Sequence, residues 1–270
     1  MSRAARVAAG ARAAPWRALL SSLAVALAAC APPAPGLEEI VAHNRAVVNG
    51  AADTSLVSSL EVDLRMKDAK AGAELGALYR VNRRGQMRID IYSGGQRVYT
   101  EAFDGKQGWD WGAQGTAATV DPHAAALWHG TQFPGMIFGL EDLVPNGHRL
   151  EYLGRERLSG VDYYVLKITL SDGFVTYRYV NPATWLIERG RDFRAFHPAL
   201  DAHQTWIETV YSDYRRVDGV LRSFLSTNTD LGTGAWQATN TVTAIKVGQP
   251  LDPSIFQMPG ETGSGSAPKP

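Results

Sequence analysis

Cys30 is the only cysteine in 270 residues, and it closes the run Leu27-Ala28-Ala29-Cys30. A lone thiol offers two chemistries, covalent modification and nucleophilic attack. The short apolar stretch ahead of Cys30 points to the first, and a modified thiol is removed from catalysis. Six histidines remain as potential bases or metal ligands: His43, His123, His129, His148, His197 and His203. The pairs His123/His129 and His197/His203 are six apart, on different faces of a helix and about 20 Å apart along a strand, so joint metal ligation is not expected and surface or loop positions are. The acidic pairs Glu38-Glu39 and Glu141-Asp142 read as solvated helix positions rather than as a general acid and base. The chain has no Gly-x-Ser-x-Gly elbow, His-Glu-x-x-His, Ser-x-x-Lys, phosphate loop or dinucleotide fingerprint. An enzyme is therefore not expected, nor a cofactor or a metal.

The segment around Cys30 resembles a bacterial lipoprotein signal. Arg3, Arg6, Arg12 and Arg17 form a basic region without acidic residues, and residues 18–29 form a small-residue-rich apolar stretch. A bilayer span needs about 20 apolar residues, so this one suits a cleaved signal. The resemblance implies cleavage before Cys30, acylation of its thiol and new amino group, and, with Ala31 next, export to the outer membrane facing the periplasm; the inner membrane stays open. Two or three long chains would make a stable anchor. An ordinary secretory signal cut at Ala26-Leu27-Ala28 is the other reading; it would leave a free thiol in an oxidising compartment.

Removing residues 1–29 leaves 241 of the 270, enough for one large domain or two small ones. The 27 basic and 27 acidic residues balance, and four of the arginines lie in the signal, so the remainder carries about −4. That argues against nucleic acid or an anionic bilayer surface as main partner. Residues 30–36 carry the Pro-rich tether Ala31-Pro32-Pro33-Ala34-Pro35-Gly36, which favours an extended, stiff backbone.

What positions any site is a change of period. Leu37, Ile40, Val41, Ala46 and Val47 recur at helical spacing over 37–48. Thereafter apolar residues alternate: Leu60, Val62, Leu64 and Met66; then Met87, Ile89 and Ile91; then Tyr164, Leu166, Ile168 and Leu170. Gly94-Gly95, Asp104-Gly105, Asp172-Gly173, Asn181-Pro182 and Asp218-Gly219 fall between the runs as turn signals. The pattern predicts an antiparallel meander of roughly eleven strands over 58–111 and 149–247. A helical insertion over 122–146 interrupts it. So long a sheet must curl or be covered, which predicts an incomplete barrel, mainly β, with the helix and the insertion across its concave side. Residues 37–259 form the domain, and 260–270 are Gly/Ser/Pro-rich and expected to be disordered.

Here the chain resembles the lipoprotein-sorting proteins LolA and LolB. The residues carrying the likeness are the helix running into Asn49-Gly50; Phe103-Asp104-Gly105 with Gly108-Trp109; and 154–160 followed by Tyr163 and Leu166. Asp172-Gly173 with Tyr177, Tyr179 and 181–184, and the late Tyr211, Tyr214, Asp218-Gly219, Leu251, Phe256 and Pro259, complete it. The resemblance covers 37–259. It implies an open β half-barrel and, with the lipobox, an anchored member rather than the soluble carrier.

The resemblance and the alternation together nominate an apolar cavity for acyl chains of a lipid or an acylated protein. Its candidate lining is Leu64, Met66, Met87, Ile89, Ile91, Trp109, Trp111, Met136, Phe138, Leu166, Ile168, Trp185 and Trp206. Gly130, Gly135 and Gly139 give the insertion hinges. The competing reading is a solidly packed sensing or scaffold domain that binds another envelope protein through its convex face or a strand edge.

Overall fold

The connection between two sheet edges sets the architecture of this computed structural model. It describes residues 34–198 and 200–260; Cys30, the signal, most of the tether and residues 261–270 lie outside the described residues. Helix α1 (Leu37–Asn49) carries Glu38 and Glu39 in its first turn, where they favour the positive end of the helix dipole, and ends at Gly50 with φ 55°. Strands β1 (Ser59–Asp68), β2 (Glu74–Asn82), β3 (Met87–Ser93), β4 (Gln96–Phe103), β5 (Gly108–Gly112) and β6 (Gly115–Ala118) follow as one meander. After helix α2 (Asp121–Gln132) and a 3-10 turn (Leu140–Asp142), a second meander contains β7 (Arg149–Leu158), β8 (Val161–Thr169), β9 (Val175–Val180) and β10 (Ile187–Ala195). It continues through β11 (Gln204–Val217), β12 (Val220–Asp230) and β13 (Trp236–Val247).

The last strand pairs with the first, β13 antiparallel to β1 from Leu60↔Val247 to Asp68↔Ala238. This joins the meanders into a single 13-stranded sheet with β6 and β7 at its two edges. It is mainly β and unclosed, an incomplete barrel with two helices among the described residues. The edges are consecutive in the chain, so residues 119–148 cross the open side. The expected eleven strands become thirteen. One of the additions is β6, whose Gly-Thr-Ala-Ala carries no alternation of bulk to reveal it.

Alternation holds where it was clean. Leu60, Val62, Val81, Met87 and Ile89 form one inner cluster with Leu127 of α2 and with Ile137 and Phe138 of the insertion. Leu150, Tyr164, Leu166, Ile168 and Val180 form the other, with Ile40 of α1 and with Leu140 and Leu143. Trp128 of α2 packs against both clusters. Tight approach of α2 depends on a glycine: a Cβ on Gly108 would lie 2.3 Å from Thr119 Oγ1 and 3.0 Å from the Ala124 Cβ.

Candidate functional site

The inner face is closed by side chains from the insertion. Leu166, Ile168 and Ile40 are 0% exposed, so no water-sized space touches them. Asn44 of α1 donates to the Trp185 carbonyl at 2.7 Å, and His43 stacks on the Trp185 ring at 4.2 Å. These contacts seat α1 on the sheet.

A polar seam runs along the insertion's margins. His123 meets Glu101 at 2.8 Å, His129 meets Asp172 at 2.6 Å, and His148 meets Gln132 at 3.1 Å. Asn49 donates to Glu141 at 2.6 Å, and Asp142 lies 3.5 Å from Arg83. The expectation of surface histidines is corrected at His123 and His148, which are buried: Glu101 for the one, and Gln132 with the Ser171 N–H for the other, satisfy them away from water. Burial pushes the His148 pKa below its ordinary value, against the weaker pull of Asp172. Glu141 and Asp142 are likewise not free solvated carboxylates, because they pin the 3-10 turn to α1 and to the end of β2. Among the described residues no three His, Cys, Asp or Glu side chains converge as a metal site.

Two arginines interrupt this face. Arg178, 1% exposed, donates through Nη1 to Thr176, to the Tyr177 carbonyl and to Asp192. Its Nε and Nη2 have no partner among the described residues. The guanidinium carbon sits 4.6 Å from the Phe133 ring centroid, and a Cβ on Gly190 would come within 2.6 Å of Nη1. Arg222, 7% exposed, donates to the Met136 carbonyl, while its Nε is unpartnered. Burial lowers its pKa to about 10, with a small opposing pull from Asp218.

The outer face differs between the two meanders. Over the first, the C-terminal segment with its 3-10 turn (Pro253–Phe256) lies on the strands. Trp109 is buried there and donates its indole N–H to the Phe256 carbonyl at 2.7 Å. Arg88 donates to the Ile255 carbonyl at 2.9 Å. Over the second meander the described residues leave the face uncovered. Phe193 and Trp206 pair directly across β10 and β11, with ring centroids 5.6 Å apart, and Tyr177 lies 5.9 Å from Trp206. Two adjoining open grooves of ≈ 650 Å³ each run along these rings. Leu153 and Leu231 flank one of them, and Arg191 on its wall is tied to Glu156 and Glu208.

The candidate residues therefore divide. Leu64, Met87, Ile89, Ile91, Met136, Phe138, Leu166, Ile168 and Trp185 belong to or pack against the two inner clusters. Met66 shares their strand face and is half-buried. Trp109, Trp111 and Trp206 are on the outer face: Trp109 under the C-terminal segment, Trp111 beneath Arg97, and Trp206 in the grooves. The alternation missed Arg178 and Arg222. Their signals were an arginine at an inward position of a strand otherwise rich in β-branched and aromatic residues, and Gly190 inside the neighbouring strand.

The architecture matches solved structures. A LolA superfamily protein from Nitrosomonas europaea superposes with a TM-score of 0.52 at 14% identity, over 83% of this chain and 98% of that one. The fold is LolA-like. A domain assigned to outer membrane lipoprotein sorting, from Vibrio parahaemolyticus, gives 0.50 at 15% identity over 82% and 95%. At these identities the LolA-like likeness is one of fold. No protein-family model matches the chain, and no curated protein matches it.

Proposed function

We propose that this LolA-like protein is a non-catalytic envelope lipoprotein, anchored by acylated Cys30 in the outer membrane, that holds an acyl chain in its inner concavity. The LolA-like fold supports the reading, while the solid packing of the concavity is what the scaffold alternative expects. The concavity is filled by side chains of the 119–148 crossing, namely Leu127, Ile137, Phe138, Leu140 and Leu143. Side-chain hydrogen bonds hold the crossing at its margins. An acyl chain can replace that filler surface for surface, at about 25 cal/mol per Å² buried. Water can replace the marginal hydrogen bonds. Gly135 and Gly139, in the loop after α2, would let the crossing swing; Gly130, expected as a third hinge, instead lies within α2 against Met87. The concavity residues Leu64, Met66, Met87, Ile89, Ile91, Leu166 and Ile168 would then contact the chain, with Met136, Phe138 and Trp185 at its sides.

The bare aromatic face supports a second reading, in which the same domain docks an envelope protein over Tyr177, Phe193 and Trp206. Exposed apolar patches of this kind mark interaction sites. Native mass spectrometry of the protein purified from bacterial envelopes separates the two. Acyl-chain binding predicts co-purifying lipid or acylated protein that is lost on delipidation and regained on adding lipid. A mass that takes up neither contradicts it and leaves the docking reading.

A further inference from the structure

Arg178 and Arg222 lie beneath the same short stretch of the crossing. Phe133 covers one and the Met136 carbonyl meets the other. Phe133 and Met136 are three residues apart, so their Cα atoms are at most about 10 Å from one another. Buried polar groups in folded proteins are satisfied as a rule, and exceptions call for an explanation. Here three guanidinium nitrogens on two side chains are unpartnered among the described residues, and Arg222 has no carboxylate within ion-pair distance. Asp192 answers the charge of Arg178, but it is shared with Arg194. Of the two buried guanidiniums under the crossing, Arg178 is paired with Asp192 and Arg222 with no carboxylate among the described residues. Gly190 leaves the space that the Arg178 head occupies, so the sheet is shaped around that guanidinium.

We infer that the concavity recognises an anionic amphiphile, its phosphate or carboxylate head held between Arg178 and Arg222 where residues 133–136 now lie. The inference rests on the acyl-chain reading above and names the class of ligand. Guanidinium forks match the paired oxygens of these groups and gain strength on desolvation. The free N–H groups are the ones an oxyanion would accept from. The tail would enter the apolar clusters to either side, and Phe133 and the Met136 carbonyl would give way to the head.

The test is competition binding to the full chain released from non-ionic detergent micelles, read by native mass spectrometry. Dioleoylphosphatidylglycerol, dioleoylglycerol and inorganic phosphate serve as probes. The expected result is at least tenfold preference for phosphatidylglycerol over dioleoylglycerol, with free phosphate competing weakly. Arg222→Met should bring that preference below threefold while raising the melting temperature; a purely structural arginine would lower it. If Arg222→Met does not fold, Arg222→Lys, which keeps the charge but not the fork, should still cut the preference by more than half. Equal uptake of the two lipids overturns the head-group inference and leaves acyl binding standing. Phosphate binding as tightly as the lipid overturns it in favour of a free-anion site. Uptake of no lipid overturns the acyl-chain reading itself.

Discussion

On the outer face of the first meander a buried carboxylate meets a full set of donors; on the inner face of the second a buried guanidinium meets one carbonyl. Asp90, 2% exposed, accepts from Arg80 at 2.7 Å, from Arg88 at 2.9 Å and from Thr100 at 2.7 Å, with Arg97 at 3.5 Å. Arg80 passes on to Glu61, and Glu61 to Lys246. Every charge there has an opposite. Among the described residues Arg222 has the Met136 carbonyl alone. Burying two charges together is tolerable when geometry and hydrogen bonds repay desolvation, and a lone buried charge is costly. The Asp90 network is thus compensated within the sheet, whereas Arg222 lacks a paired carboxylate among the described residues. The outer face repeats the contrast: Trp109 is covered by the C-terminal segment, while Trp206 is 40% exposed.

Breaking the compensated network should have the largest effect. Asp90→Asn leaves three arginines facing one another without their carboxylate and should destabilise the protein by about 3 kcal/mol, read as a shift in the urea midpoint. Burial pushes the Asp90 pKa up, but hydrogen bonds from Arg88, Thr100 and Arg80 and the Arg88 charge outweigh it and hold the pKa below the ordinary carboxylate range. A carboxylate with a lowered folded pKa lends stability above its unfolded value, and this is lost as pH falls through the folded one. The gap between wild type and Asp90→Asn should accordingly narrow in acid below about pH 4. A constant gap would mean that the network is not electrostatic. Arg222→Met should act in the opposite sense, gaining roughly 1 kcal/mol, and a loss of that size would erase the contrast between the two centres. The smallest effect belongs to the bare face. Trp206→Ala should change stability by no more than about 0.5 kcal/mol, and a larger loss would mean that the outer rings are packing and not surface.

The same contrast explains what the sequence made readable. Period-two runs placed Leu64, Met66, Met87, Ile89, Ile91, Leu166 and Ile168 on one face because each strand signals its own parity, whatever covers it. The Gly94-Gly95 and Asp218-Gly219 turns were equally legible, since both residues of each pair need positive φ. Tryptophan chemistry alone could not separate the faces. Trp109 is buried by a segment nearly 150 positions downstream, its partner Phe256 lying at |i−j|=147. Arg178 and Arg222 escaped notice for a related reason. What covers them is the crossing between sheet edges, and only the pairing of β13 with β1 makes that crossing run over the concavity.

Photo-crosslinking locates a bound acyl chain directly. The full chain would be loaded with a phospholipid bearing a diazirine in mid-chain, irradiated, digested and mapped by mass spectrometry. A chain in the concavity gives adducts in the inner strands and their cover, on peptides containing Ile89, Leu166, Ile168 or Phe138. Adducts confined to Tyr177, Phe193 and Trp206 would place the lipid on the outer face and contradict binding in the concavity.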